Sequence, residues 1–303
     1  MPLRNQIHVD QLLGNISIKY RNDNYIADQV FPIVPVKKAS DLYRTYERNF
    51  RLPETNRAHN GEAKEHSFNV SNETYVLERH ALKDFVSDEQ AANYDISDLR
   101  ADTTEELTDK IMLRMEKSVA DVVTTKANWS QNQSLATAGQ WSLDSVTSNP
   151  IAMMDTAGTS VLEASGDKAN YAVVPRAVML AAKNHSSVAE RVKYTSAEIT
   201  PNMLAALFDL DQMLVPTSVI DSGNEGATAA VAAIYSDSIF VGYKPDRPGP
   251  MKASAGYLFR NAIPLVKRWR VEERDSECIE VNLNYTPKIV SSLSGFLILD
   301  ALA

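Results

Sequence analysis

The clearest hydrophobic pattern in the chain is helical, and it lies between residues 103 and 127. Five apolar residues recur there at spacings of four and three, which places them on one face of a helix: Leu107, Ile111, Met115, Val119 and Val122. Thr103 followed by Glu106 fits a helix start, because a threonine hydroxyl and an acidic first turn both favour the free backbone N–H groups. The pattern predicts a long amphipathic helix over residues 103–127 whose apolar face lies on a core.

The segment before residue 39 shows no such period. Its apolar run from Ile26 to Val36 contains Pro32 and Pro35, each of which removes a backbone donor and fixes φ. A regular central strand is therefore excluded, yet the run is too apolar to remain in water. We predict that residues 1–38 form an extended N-terminal arm, ordered mainly by contacts with other subunits.

Two β-compatible runs predict a hairpin after the arm. Asp41–Phe50 and His66–Leu77 carry aromatic and alternating apolar residues, and the polar stretch between them includes the turn signal Asn60-Gly61. A two-stranded, mostly polar ribbon is only marginally stable alone in water. The hairpin is therefore expected to lie across a partner.

After the long helix the pattern alternates between strand and helix. Residues 129–167 predict loop with a short helix over Pro150–Ala157. A compact α/β module follows, with a strand over Tyr171–Val174, helices over Pro175–Asn184 and Thr200–Phe208, and a strand over Gln212–Ile220. The remaining predicted elements are a strand over Ser238–Tyr243, a crossing loop over Lys244–Pro250, and strands over Lys267–Arg274, Cys278–Tyr285 and Phe296–Leu299.

Composition narrows the classes of function. A content of 44% hydrophobic and 23% charged residues over 303 positions is ordinary for a folded globular chain. The net charge of -8 argues against a surface for nucleic acid, which needs clustered Lys and Arg. The single cysteine, Cys278, cannot form an intrachain disulfide, which suits a host cytoplasm. No run of 18 apolar residues predicts a membrane span.

Motifs that catalysis or metal binding requires are missing from the sequence. It contains no H-E-x-x-H, no G-x-S-x-G and no glycine-rich phosphate loop. The histidines show no ligand spacing and are expected to be ordinary surface residues: His8, His59, His66, His80 and His185. We therefore predict no catalytic residue, no cofactor and no metal ligand, and we do not expect an enzyme.

Charged clusters indicate contacts between chains instead. Basic residues gather on the predicted hairpin, although the chain as a whole is acidic: Arg44, Arg48, Arg51 and Arg57. Glu105 and Glu106, together with Asp109, stand near the helix start as possible receivers on a neighbouring copy. A stretch of mixed sign also fits salt bridges to a neighbour better than nucleic acid: Arg268, Arg270, Glu272 and Glu273.

The order of these elements and several sequence strings resemble the major capsid proteins of tailed bacteriophages with the Hong Kong 97 fold. The resembling strings run nearly end to end: Tyr25–Val36, His80–Glu89, Pro201–Phe208, Ser254–Tyr257 and Trp269–Arg274. The resemblance implies an α+β fold with an N-terminal arm, an extended β-hairpin loop, a peripheral domain with a long spine helix, and an α/β axial domain. Its expected ranges are 1–38 for the arm, 39–87 for the extended loop, 88–135 for the peripheral domain, 136–243 for the axial domain, and 244–303 for the return to the peripheral domain.

The resemblance also implies a function and partners. The chain would assemble in the host cytoplasm into pentamers and hexamers of an icosahedral head shell, and would enclose DNA in the virion without reading its sequence. Because the chain starts near the arm, a separate scaffolding protein is expected, with a portal and a decoration protein as further partners. Two alternatives stay open: an encapsulin-like nanocompartment shell with the same fold, and a hydrolase built on the α/β module.

Overall fold

A computed structural model gives the fold of most of the chain. It describes residues 8–9, 24–45, 50, 55–57, 59, 61–62, 71–93, 98–135, 137–144, 147–193, 199–223, 230–249, 252–261 and 264–303. The predicted strand residues 46–49 and 66–70, and with them Arg48 and His66, lie outside the described residues, as does Arg51.

A six-stranded sheet is built around one long strand. Its strands are β1 (His8–Val9), β2 (Ile33–Pro35), β5 (Glu78–Ser87), β12 (Gly256–Arg260), β13 (Leu265–Val271) and β14 (Ser276–Ile289). On one side β14 pairs with β5, and on the other it pairs first with β13 and then with β12, all antiparallel. The edges are β2, parallel to β12, and β1, antiparallel to β13. Pro35 therefore lies in an edge strand, where its missing N–H removes no ladder bond.

The predicted long helix is present as α3 (Leu99–Thr124). It begins one turn before Thr103, because the Asp98 side chain accepts the N–H of Arg100 and caps the helix; the predicted threonine cap is wrong. With 26 residues it is about 39 Å long. The predicted apolar stripe is confirmed at four of its five positions, since Leu107, Ile111, Met115 and Val119 lie in the core. The fifth residue, Val122, is only partly buried.

A second sheet, of five strands, follows α3. Its order is β6 (Gln131–Ser134), β15 (Gly295–Leu299), β11 (Ile239–Gly242), β7 (Tyr171–Val173) and β8 (Gln212–Leu214). On the far side are the helices α4 (Pro150–Ser165), α5 (Arg176–Asn184), α6 (Ser186–Val192) and α7 (Pro201–Leu207). Thr200 caps α7 with Pro201 at its first position, as the sequence predicts, whereas α4 is twice the predicted length.

Alternating side chains of the second sheet divide the core into two clusters. Phe240 and Leu297 pack with α3 and the six-stranded sheet, whereas Val241 and Ile298 pack with the helices beyond. The layers are therefore sheet, helix, sheet, helices. Strands β6 and β15 belong to this second sheet, so residues 131–134 and 295–299 pair with the strands of the α/β module.

The described end of the predicted arm, by contrast, is part of the subunit core. A short helix, α1 (Ala27–Val30), and Phe31 are buried against α3, and β2 extends the sheet. The expectation that this segment is ordered mainly by other subunits is wrong for residues 26–36, because its apolar run finds a surface within its own chain.

The predicted hairpin exists as β3 (Ser40–Thr45) paired antiparallel with β4 (Ser71–Val76). Its second strand ends at Val76, within one residue of the predicted end at Leu77, and residues 78–87 pair instead with β14 along their whole length. A second two-stranded hairpin, β9 (Val219–Asp221) with β10 (Val231–Ala233), replaces the end of the predicted strand over Gln212–Ile220. Across the described ranges, no helix is long and apolar enough to cross a membrane.

Candidate intersubunit surfaces

The base of the β3–β4 hairpin is fixed to its own subunit by aromatic side chains. Tyr43 and Tyr75 lie on the inner face and pack against Phe259 of β12, with ring centroids 5.3 Å and 4.7 Å away respectively. The Tyr43 hydroxyl donates to Glu73 Oε2 at 2.6 Å and lies 3.1 Å from the carbonyl oxygen of Ile289. Burial, together with Glu73, raises the pKa of Tyr43 well above its usual value, so this hydroxyl keeps its proton. The hairpin is therefore anchored at its base.

The outer face of the same hairpin is exposed. Leu42 and Val76 are 64% and 59% exposed, and both lie opposite to the tyrosine face because side chains alternate along a strand. Arg44 is on this outer face and exposed, and Arg57 is exposed with its Nε bonded to the carbonyl of Gly61. An apolar pair beside basic side chains is the type of surface that a partner covers.

An acidic groove lies beside the start of α3. It has a volume of about 650 Å³ and is bounded by β5, by α2 (Asp88–Asn93) and by α3. Among the described residues its lining holds three carboxylates, Asp84, Glu89 and Glu106, with Phe85 and Leu99 among the apolar walls. Lys83 and Arg274 lie over the Phe85 ring, 5.5 Å and 4.8 Å from its centroid. The predicted receiver Glu106 is thus in a groove whose charged lining residues are carboxylates. Glu105 is exposed beside it on α3, whereas Asp109 accepts a hydrogen bond from Tyr25 at 2.9 Å.

The mixed-charge stretch at the end of β13 is largely paired inside the subunit. Arg270 makes a bidentate contact with Asp88, at 3.0 Å and 2.7 Å, which lowers the pKa of that carboxyl, and its Nε lies 3.3 Å from Glu272. Arg268 lies 4.0 Å from Glu277. Within the subunit the Arg270 guanidinium is held by Asp88, and its contact with a neighbouring chain stays a prediction. Glu273 is exposed.

One charged residue that the sequence reading overlooked is buried in the core. Glu116 is 0% exposed on α3, and its Oε2 accepts the N–H groups of Ile26 at 3.0 Å and Ala27 at 2.7 Å. Burial raises its pKa to about 7, and these two hydrogen bonds act in the opposite direction. A helical wheel could have found it, because position 116 lies one turn from Met112 and Ala120 at the margin of the apolar stripe.

His185 corrects the expectation that the histidines are surface residues. It is 2% exposed, and its Nε2 lies 3.1 Å from the Ser148 hydroxyl and 3.5 Å from Asp144. Ser148, His185 and Asp144 are the residue types of a serine hydrolase site, but their hydrogen bonds are arranged differently. Nδ1 accepts the N–H of Ser187, so Nε2 carries the proton and cannot take one from the Ser148 hydroxyl. The arrangement caps α6 and joins it to the loop before α4.

The other histidine with a defined environment is His80, whose ring stacks on Tyr285 with centroids 4.2 Å apart. Burial lowers its pKa, so the ring is neutral at physiological pH. In the part of the chain that the structure describes, no group of three or more His, Cys, Asp or Glu side chains could hold a metal ion.

Two curated relatives match this chain over most of its length. The major capsid protein of Burkholderia phage BcepMu is 23% identical over 301 residues, covering 96% of this chain and 95% of the relative. The major capsid protein of Pseudomonas phage JBD67 is 26% identical over 229 residues, covering 72% and 71%. No protein-family model matches the chain.

Solved structures give the same result for the fold. A phage-related protein from Bordetella bronchiseptica is similar with a TM-score of 0.80 and 25% identity, covering 97% of both chains. The capsid of cyanophage P-SCSP1u has a TM-score of 0.64 at 8% identity, covering 91% of this chain and 88% of that chain. An encapsulin of Synechococcus elongatus shares the fold more distantly, with a TM-score of 0.52 at 11% identity and coverage of 91% and 87%.

The architecture is therefore the α+β fold of the Hong Kong 97 capsid proteins, as the sequence strings predict. Within that class, the chain is similar over nearly its full length to a phage major capsid protein, and this similarity supports its recognition as a tailed-bacteriophage major capsid protein. It is a structural protein that assembles into a multi-subunit shell, the capsid of the virion.

Proposed function

We propose that copies of this chain join through the outer face of the β3–β4 hairpin and the acidic groove beside α3, forming the pentamers and hexamers of an icosahedral head. The observation that carries the proposal is charge complementarity within one chain. An exposed basic hairpin and a groove lined by Asp84, Glu89 and Glu106 are present on the same subunit, so each copy can donate one surface and receive the other.

Anchoring at the base supports this role for the hairpin. Because Tyr43 and Tyr75 fix the ribbon to β12, its outer face is presented in a defined direction at little entropic cost on binding. Single exposed ion pairs are weak, but a closed shell repeats each contact in every copy. Small changes in charge should therefore shift assembly strongly.

Charge reversal on either surface tests the proposal. Glu89→Lys with Glu106→Lys, and separately Arg44→Glu with Arg48→Glu, should leave the circular dichroism spectrum unchanged. Both should raise the concentration needed for shells, as seen by electron microscopy and sedimentation. Added salt should weaken wild-type assembly in the same direction.

A matched control uses carboxylates that are exposed on α4, away from the groove. Asp155→Lys with Glu163→Lys makes the same change of charge, so it should leave the assembly threshold where it is in the wild type. The proposal fails if the groove variant assembles at the wild-type threshold, or if the control variant shifts it equally.

The order of the layers suggests that the subunit has two structural parts. In our proposal the six-stranded sheet with α3 forms the peripheral part, and the five-stranded sheet with α4 to α7 forms the axial part, whose loops meet at fivefold and quasi-sixfold axes. The two sheets share no strand, which supports that division. A revised boundary would assign β6 and β15 to the axial part, since both lie in its sheet.

Further partners and the place of assembly are also proposals. A scaffolding protein, a portal and a decoration protein would act with this chain in the host cytoplasm, and a lone Cys278 fits a reducing compartment. No catalytic role is proposed, and the donor state of His185 Nε2 argues against a serine hydrolase. An encapsulin-like shell is the alternative function, and the contents of purified particles decide it: packaged DNA favours a phage head, and a protein cargo favours the alternative.

A further inference from the structure

The four-residue helix α1 is held at both ends by buried polar side chains. At its start, Glu116 Oε2 accepts the N–H groups of Ile26 and Ala27. These donors have no partner inside the helix, so a buried acceptor oxygen at this position satisfies them. Glu116 therefore ties the N-terminal segment to α3.

The opposite end is tied to the second sheet. Lys244 Nζ donates to the carbonyl oxygen of Gln29 at 2.7 Å and to Gln212 Oε1 at 3.0 Å, and the Tyr171 hydroxyl donates to the carbonyl oxygen of Val30 at 3.0 Å. An ammonium is the favourable charge at a helix end. Helix α1 thus bridges α3 and the five-stranded sheet, and the chain runs on from it into β2 and the β3–β4 hairpin.

Among the described residues, no cation acts on Glu116. Its second oxygen, Oε1, has no close hydrogen-bond partner among them, and the buried hydroxyl of Tyr235 is the side chain that interacts with the carboxyl. The charged group that acts on it is Asp28 of α1, which is of the same sign. A protonated carboxyl could donate from Oε1 to Tyr235 while Oε2 still accepts both backbone N–H groups. An ionised carboxylate would keep these neutral partners, but no cation would offset the cost of burying its charge.

We infer that Glu116 is a titratable latch: its neutral form holds α1 and the root of the hairpin firmly on α3, and its ionised form loosens them. The folded chain favours the proton, since the pKa of Glu116 is raised from 4.5 to about 7. The stabilisation of docked α1 by Glu116 is therefore complete below 4.5, the pKa of the carboxyl once it is released into solvent. It falls as pH rises from there to about 7, and above that it stays constant. Acidification tightens the latch, and alkaline conditions weaken it.

Hydrogen exchange on the full chain between pH 5 and 8 tests the latch. Glu116→Gln keeps an acceptor oxygen and the side-chain volume but cannot ionise. After correction for intrinsic exchange rates, protection of residues 26–31 in the wild type should fall relative to this variant by about tenfold per pH unit up to pH 7, and then level off. The control Glu106→Gln, exposed on the same helix, should follow the wild type.

A second variant separates titration from hydrogen bonding. Glu116→Leu removes the acceptor for Ile26 and Ala27, so protection of residues 26–31 should be lost to the same degree at every pH. If Glu116→Gln does not fold, the wild type alone decides, with the β7 amides as an internal reference for the pH dependence. The inference is overturned if wild type and Glu116→Gln keep a constant ratio of protection, or if protection of residues 26–31 in the wild type follows that of β7 across the range.

Discussion

The ring of Tyr75 lies stacked on the ring of Phe259, with centroids 4.7 Å apart and 12° between their planes. Tyr75 comes from the hairpin and Phe259 from a strand nearly two hundred residues later, so this contact joins the projecting ribbon to the sheet. The contact explains how a two-stranded ribbon that is marginal alone has a defined orientation on the subunit.

Removal of that contact should release the hairpin. Phe259→Ala deletes the ring between Tyr43 and Tyr75 in a buried cluster, and such a change costs about 3–5 kcal/mol of unfolding free energy. Urea denaturation would measure the loss. Val76→Ala, on the exposed outer face, is the matched control and should change stability by no more than about 0.5 kcal/mol. Equal effects of the two changes would mean that the hairpin base is not anchored as described.

The buried face of α3 gives a second prediction. Ile111→Asp places an unpaired charge at a position 2% exposed, so unfolding free energy should fall by several kcal/mol, on the order of 3 or more, and expression should become insoluble. Lys110→Asp introduces the same side chain one residue earlier on the exposed face and should give soluble protein with a melting point near that of the wild type. A soluble Ile111→Asp variant that melts with the wild type would contradict the helix phase.

The close approach of the Gly256 backbone to the Phe31 ring gives a third prediction. A Cβ on Gly256 would lie 2.6 Å from the Phe31 ring and 2.9 Å from the carbonyl oxygen of Lys288. Gly256→Ala should therefore force β2 and β12 apart and cost about 1–3 kcal/mol of unfolding free energy. Gly249→Ala, where no atom lies within 4 Å, should be nearly neutral. Thermal melting of both variants checks this, and a neutral Gly256→Ala would show that the Phe31 ring moves aside freely.

The hydrogen bonds of His185 give a fourth prediction. His185→Leu would leave the Ser187 N–H and the Ser148 hydroxyl without their ring partner, which should cost about 1–3 kcal/mol in a urea titration. His185→Asn should recover part of that loss, because asparagine is a good N-cap for α6. An asparagine variant as unstable as the leucine variant would rule out the capping role.

Local signals in the sequence were sufficient for α3 and α7. The apolar period located α3, and the Thr200-Pro201 pair located the start of α7 within one residue. The same kind of reasoning placed the α3 cap five residues late, because Thr103 with Glu106 satisfies the capping pattern as well as Asp98 does, and only the tertiary position of Leu99 decides between them. The charged groups were harder, since only the position of Glu116 at the margin of the apolar stripe distinguishes it from Glu106 at the surface.

Long-range pairing was the part that the sequence could not determine. Ile26 to Val36 was correctly identified as apolar and unable to form a central strand, but its partner surface is β12 and α3 of the same chain, far away in sequence. The same holds for β6 and β15, which pair with each other in parallel across more than half of the chain. Hydrophobic periodicity specifies which face of an element is buried but not which element covers it. The intrachain partner of Arg270 could not be foreseen for the same reason, as Asp88 lies on α2.

The positions of β14 and β15 have a consequence for the timing of synthesis. Each occupies the interior of its sheet, and both come from residues 276–299, so both sheets lack an interior strand while the ribosome is still making the chain before them. The groove wall formed by β5 depends on β14, and the hairpin base depends on β12, which β14 also holds. We therefore expect a nascent or prematurely terminated chain to present neither of the proposed joining surfaces, so that unfinished subunits would not enter the growing head.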